Sequence, residues 1–470
     1  MNNENYEPPS MDSTEEASVN KPISLGFLLK FSAPTIVSTV LMSAFGIVDG
    51  VFVMRIIDEY AMSATALVWP FLMFVLALGF MFGTGGNALV AKELGEGKTV
   101  RARQNFTMIA VVAAVVTAVL SAVGLLAPNF ILGILGVNPE VFDIAMEYFV
   151  PISWFLPVIT LGVVFQQFLI TEGKAHLSMI ATIIGGSLNI ALNWLFIYYL
   201  QWGLHGAALA TSIGYTIPAV FGVCYFTYNR TRAGGLIFFV TPKFRLRALG
   251  QSAVNGLSEM ITMMAGSITG IFMNNILMDI EGPMAVAASG IMFGGMGLIT
   301  SLFFGYIWGI APIISYNFGK GDSERLQRVF RLSLAAILTM AIAAVAGSFA
   351  FTDLIIGIYV TEPTVYFEGM WFTLPVVEMA HSALRIMSLG YVFMAVNAFG
   401  SALFTALNNG VISGLLSALR TFVFVMLSLA VLPLVFGLEG VWFAMPAAEV
   451  LAIFVTVGFL AVYRKRYQYL

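Results

Sequence analysis

Apolar residues come along this chain in blocks of about twenty or more, separated by short polar connections, twelve times over. The blocks run roughly over residues 26–54, 61–90, 106–127, 146–171, 177–200, 206–228, 250–278, 284–317, 330–352, 381–407, 411–436 and 440–463. About twenty apolar residues in a helix cross the hydrocarbon core of a bilayer. Each block therefore predicts one membrane-crossing helix. Composition agrees: 59% of residues are hydrophobic and only 10% are charged, whereas soluble domains carry about 25% charged residues. The expected fold is an all-α polytopic membrane protein of twelve transmembrane helices. Met1 to Ser24 is polar and acidic, with two early prolines and no basic region leading into an apolar core. It reads as a disordered cytoplasmic tail and not as a signal peptide.

Charge sets the orientation. With the N-terminus inside, all Lys and Arg except Arg55, Arg385 and Arg420 fall in the tail, in the even-numbered connections, at the inner end of a span (Lys30, Arg331) or in the C-terminal YRKRYQYL. The opposite connections, around VNPEVFDIAMEY and VTEPTVYFEGMW, carry acids and no Lys or Arg. This is the positive-inside bias, and it predicts both termini in the cytoplasm.

The two halves look duplicated. VAKELGEGKTVRARQ (90–104) returns as ISYNFGKGDSERLQR (314–328), displaced by 224 residues, and GLHGAALA (203–210) as GLEGVWFA (437–444), displaced by 234. Six spans per half is even, so the halves enter from the same side and are related by an axis along the membrane normal. The expected organisation is a tail (1–24), an N-lobe (25–228), a basic cytoplasmic linker (229–249), a C-lobe (250–463) and a basic C-terminus (464–470). Two pseudo-symmetric six-helix bundles around a central cleft form the plan of a rocking transporter, which several families share.

Intramembrane ionisable residues cost about 2.5–3.5 kcal/mol at a helix centre on insertion scales and are functional by default. Asp49, in SAFGIVDGVFV, lies six residues before Arg55, about 9 Å below the outer surface. Asn189 and Asn193, four apart in span five, share a helix face and reach nearly the same level. Thr211, six residues into span six after His205, does too. One reading is structural: Asn and Thr as interhelical glue, at about 0.6 kcal/mol per bond. The other is a carboxyl that takes a proton, or whose charge is offset by a cation held among neutral oxygens. The second half has Glu259 in span seven, Asn397 in span ten, Arg420 in span eleven and Glu449 in span twelve as candidates for a substrate cleft. Arg420 can pair with Glu449 or with Glu259 but not fully with both. The competing reading leaves Glu259 facing the cavity, where it attracts cationic substrates.

Other chemistry is excluded. LGEGKT resembles a phosphate loop, but Lys92 stands where the first glycine belongs and a membrane helix precedes it. HExxH and GxSxG motifs are absent. His176, His205 and His381 lie far apart, and Cys224 is the single cysteine. The chain is not expected to be an enzyme or to carry a cofactor. Any energy source is then an ion gradient, or ATP hydrolysed by a partner.

Taken jointly, FGIVDGVFV, AKELGEGKTVRARQ with its repeat SYNFGKGDSERLQR, FLITEGK, GGSLNIALNWLFIY and GLHGAALAT resemble the MATE family, multidrug and toxic compound extrusion, and within it the MepA-like bacterial branch. The similarity covers essentially everything after the tail. It implies two six-helix lobes around a cleft and export of organic cations in exchange for protons or sodium. It also implies a cation site in the N-lobe, here Asp49, Asn189, Asn193 and Thr211, with no metal beyond a sodium ion at Asp49. Asn193 stands where many relatives have a second aspartate, which leaves one carboxylate in the site. Glu259 matches the family's glutamate of span seven. The aspartate some members place in span ten is absent, and Asn397 is that span's main polar group. The expected partners are a small cationic or amphipathic substrate and the lipid bilayer, with no nucleic acid and a monomeric state. The expected location is the bacterial inner membrane. Two alternatives stay open: a lipid-linked oligosaccharide flippase of the same superfamily, which typically has fourteen spans, and a non-transporting membrane scaffold.

Overall fold

The structure is a computed structural model, described over residues 22–52, 56–57, 59–137, 139–231, 235–360, 364–367 and 370–470. The expected tail up to residue 21, and Arg55 as the marker of the outer end of span one, lie outside the described residues. The N-lobe helices are α1 (Leu25–Phe52), α2 (Glu59–Gly95), α3 (Thr99–Leu126), α4 (Phe142–Thr171), α5 (Ala175–Asn193) and α6 (Gly203–Tyr228). A π-helical turn, Trp194–Tyr199, extends α5. The second half opens with α7 (Leu246–Glu281), α8 (Pro283–Lys320) and α9 (Ser323–Ala350). Next comes α10, made of Pro375–Ser388 and Tyr391–Ala406 bent by 50°. The last stretch, Gly410–Tyr467, runs as one apolar helical segment, but Gly437 breaks it with φ 58° and ψ −132°. Only glycine adopts such a backbone without strain, and the chain doubles back there, since a side chain on Gly440 would collide with the backbone of Leu432. The two arms, 410–436 and 438–467, are α11 and α12. Twelve spans result among the described residues.

Several helices exceed the apolar blocks that predict them. Helix α2 continues through Lys92 and Glu93 to Gly95, and α7 starts at Leu246. The apolar pattern measures only the lipid-embedded part, whereas backbone hydrogen bonding carries the helix on into water. Short helices at Pro128–Ile134 and Thr352–Tyr359 and a two-stranded antiparallel hairpin, β1 (Thr364–Phe367) with β2 (Met370–Thr373), were not visible in the pattern.

The internal repeat is physical. A side chain on Gly95 would collide with the carbonyl oxygen of Tyr316, and one on Gly319 with that of Lys92. These pairs exchange under the 224-residue displacement (92 to 316, 95 to 319). The same relation links two further crossings: Gly85 lies against Ser252 and Gly256 of α7, and Gly309 against Ser32 of α1. These lobe-to-lobe contacts all fall in the half of the bundle that carries the basic turns.

The linker is docked on the N-lobe. Arg103 donates to the carbonyls of Gly235 and Leu236 at 2.9 Å each. The Glu172 carboxylate accepts from Asn229 Nδ2 and from the backbone N–H of Leu236 and Ile237, at 2.8–3.0 Å. Phe239 stacks on Phe106 with centroids 5.2 Å apart, and in the second half Tyr469 packs on Phe330, 224 residues after Phe106, at the same 5.2 Å.

Candidate functional site

Asp49 stands near the end of α1 opposite the basic turns. Glycines bring its partners close. The ring of Phe45, one turn before Asp49, occupies the space a side chain on Gly186 would need, and Gly185 packs on the carbonyl of Gly214. Small residues let helix backbones approach, so α1, α5 and α6 meet at this level.

The four predicted residues of the N-lobe are in mutual contact. Asn193 Nδ2 donates to Asp49 Oδ1 at 2.6 Å and Asn189 Nδ2 to the same oxygen at 3.4 Å. Thr211 Oγ1 lies 3.4 Å from both carboxylate oxygens. Asn189 also donates to Thr211 Oγ1, and Asn193 to Asn189 Oδ1, each at 3.4 Å. Asn189, Asn193 and Thr211 are buried, and Asn193 Oδ1 has no hydrogen-bond partner. Only neutral groups surround the carboxylate in these contacts. Neutral donors stabilise its charge but do not cancel it, so a proton or a bound cation is needed for neutrality. Turning the Asn193 amide over would offer its idle oxygen to a cation beside the carboxylate.

Asp49, Asn189 and Thr211 line a cavity of about 100 Å³, together with Phe45, Gln166, Thr182 and Tyr215. Sequence reasoning did not single out the last three. Tyr215 follows Thr211 by four residues and Thr182 precedes Asn189 by seven, so helical spacing from the chosen residues would have found both. Gln166 donates to Thr182 at 3.0 Å and had no such signal.

The candidates of the second half separate into two places. Arg420 Nη1 pairs with Glu449 Oε1 at 3.7 Å and lies 3.4 Å from the carbonyl of Met394. Asn397 Nδ2 donates to Glu449 Oε2 at 2.8 Å and to its backbone carbonyl at 2.9 Å. All three are buried, so Arg420 takes Glu449 as its ion-pair partner. Glu259 forms no ion pair with Arg420 but stays within its electrostatic reach, on the wall of a small cavity between the lobes, with Asn87, Gln167, Trp308 and Thr405. His381 pairs with Asp353 at 3.0 Å, and no cluster of three or more His, Cys, Asp or Glu that could hold a metal is found among the described residues.

Comparison with known proteins bears directly on this arrangement. The MatE family pattern matches residues 34–195 and 259–438, the two lobes in turn. The multidrug export protein MepA of Staphylococcus aureus (strain MRSA252) is 24% identical over 424 residues, 90% of each chain. Its namesake from Staphylococcus haemolyticus (strain JCSC1435) is 24% identical over 457 residues, 96% of this chain and 95% of that one. A solved structure described as the outward-facing conformation of a multidrug resistance MATE family transporter of the MOP superfamily superposes with a TM-score of 0.87 at 19% identity, over 98% of this chain and all of that one. With both lobes matched and the twelve-helix fold in place, the chain is a multi-pass membrane protein that belongs to the MatE family of transporters.

Proposed function

We propose that this protein is a secondary active antiporter that exports organic, mainly cationic, compounds in exchange for protons or sodium ions. The carrying observation is the cage around Asp49: one carboxylate held by two amides and a hydroxyl from α5 and α6. The relatives named as multidrug export proteins support the substrate class. The basic turns support a setting in the bacterial cytoplasmic membrane with both termini inside.

The cycle follows from charge. A proton or sodium ion arriving from outside neutralises Asp49, the contacts from Asn189, Asn193 and Thr211 rearrange, and α1 repacks against α5 and α6 as substrate leaves. On the inner side, substrate binding favours release of the ion. Coupling is reciprocal, so these are one free energy seen from two sites. The inter-lobe cavity at Glu259 supplies a negative charge for a cationic substrate. Exchanging one monovalent ion for one monovalent cation is electroneutral, so the ion gradient alone does the work, about 1.4 kcal/mol per tenfold ratio. Steep export then needs more than one ion per cycle or an uncharged substrate.

The test is efflux of a fluorescent organic cation from proteoliposomes, with pH and sodium gradients imposed separately. One gradient should drive efflux by the native protein and fail with Asp49→Asn. Gradient-driven export by that variant at the native rate would sink the proposal.

A further inference from the structure

Arg101 at the start of α3 and Arg245 and Arg247 at the start of α7 line one cavity of about 580 Å³, with Leu246, Ala248 and Gln251. This place lies apart from the Asp49 cage, and the transport cycle above makes no use of it. The charge there is only partly met. Arg101 Nε pairs with Glu93 Oε1 at 2.7 Å, and Asn105 donates to the same carboxylate. Arg245 Nη2 donates to the neutral Gln104 Oε1 at 2.9 Å, while its Nη1 is buried without a hydrogen-bond partner. Among the described residues no carboxylate lies within ion-pair distance of Arg245 or Arg247, and the Glu93 carboxylate acts on Arg245 only at longer range. The backbone adds to this field: Arg245 stands at the cap of α7 with no side-chain cap hydrogen bond, and the first turn holds no acid. Its free N–H groups therefore also face an anion.

The surroundings say what kind of anion. Val100, Phe244 and Leu246, the immediate neighbours of the arginines, are 65%, 66% and 85% exposed. Large apolar side chains this bare, flanking a cationic hollow at the end of lipid-embedded helices, suit the membrane interface beside a charged headgroup. A dissolved anion would gain nothing from them. Guanidinium groups bind phosphate oxygens through paired, charge-assisted hydrogen bonds, and basic pockets between membrane helices hold anionic headgroups.

We propose that this cavity binds the phosphate headgroup of an anionic phospholipid, with Arg245 and Arg247 as its main ligands and Arg101 as a third. Since α3 belongs to the first half and α7 to the second, the bound lipid ties the lobes together at the end where they already meet.

Native mass spectrometry of the full chain, titrated with phosphatidylglycerol or phosphatidylcholine, tests this. The native protein should prefer phosphatidylglycerol. Arg245→Gln with Arg247→Gln should weaken that binding about 30-fold, at the usual contribution per basic residue. Arg331→Gln, an arginine outside the cavity, should leave it unchanged. Because Arg245 also anchors the linker through Gln104, Arg247→Gln alone, on an exposed side chain, is the second variant, with a loss of about fivefold that Arg247→Lys restores. Inorganic phosphate in excess should not displace the lipid. Undiminished phosphatidylglycerol binding in both Gln variants would overturn the proposal. So would displacement by phosphate, which would assign the site to a soluble anion instead.

Discussion

The two lobes repeat one fold, yet the acids Asp49 and Glu449 are handled differently. In the N-lobe Asp49 meets only neutral partners and borders a cavity. In the C-lobe Glu449 is locked to Arg420 and Asn397, with all three buried. The 234-residue displacement even places Glu449 where the N-lobe has Tyr215, on the wall of that cavity. Duplication thus supplied two scaffolds. One leaves the Asp49 carboxylate among neutral partners beside a cavity, and the other pairs the Glu449 carboxylate with Arg420.

Five substitutions would break or sharpen this contrast. Glu449→Gln should strike stability hardest. It leaves Arg420 buried and unpaired, a loss of about 3–5 kcal/mol, whereas Arg420→Met with Glu449→Gln should recover most of it. Thermal unfolding in detergent reads both, and surviving protein should still transport. If Glu449→Gln instead abolished ion coupling in a stable protein, the structural role given to the C-lobe pair would be wrong. Asp49→Asn is the mirror case: folding kept, and gradient-driven efflux reduced at least about 100-fold, equivalent to about 2.7 kcal/mol. Asn193→Ala removes the shortest bond to the carboxylate, and efflux should fall about tenfold. A fall in unfolding temperature with unchanged coupling would make Asn193 mere packing. Thr211→Val deletes only contacts of 3.4 Å, long for a hydroxyl donor, so a loss of about threefold is expected. A larger loss measured in the same vesicles would mean that the hydroxyl binds the ion directly.

Much of this was readable beforehand, because a membrane sorts residues strongly. Apolar blocks gave the spans, and the position of Asp49, Asn189, Asn193 and Thr211 along their helices gave a shared level. Level is a one-dimensional quantity. Choosing between Glu449 and Glu259 as partner of Arg420 needs the rotation of α7, α11 and α12 about their axes, which spacing within one helix does not give. The bend in α10 next to Gly390 and the docking of the linker through Glu172 and Arg103 depend equally on tertiary contacts. Glu172 lies 64 and 65 residues before its amide partners, and only the fold brings Leu236 and Ile237 to it.

The reciprocal glycine crossings, Gly95 on Tyr316 and Gly319 on Lys92, have a mechanical corollary. Where backbone meets backbone in this way, the seam resists parting through close fit and not through charge. Fit of this kind fades within a fraction of an ångström of separation. The halves should therefore part in one abrupt step and not by gradual unzipping.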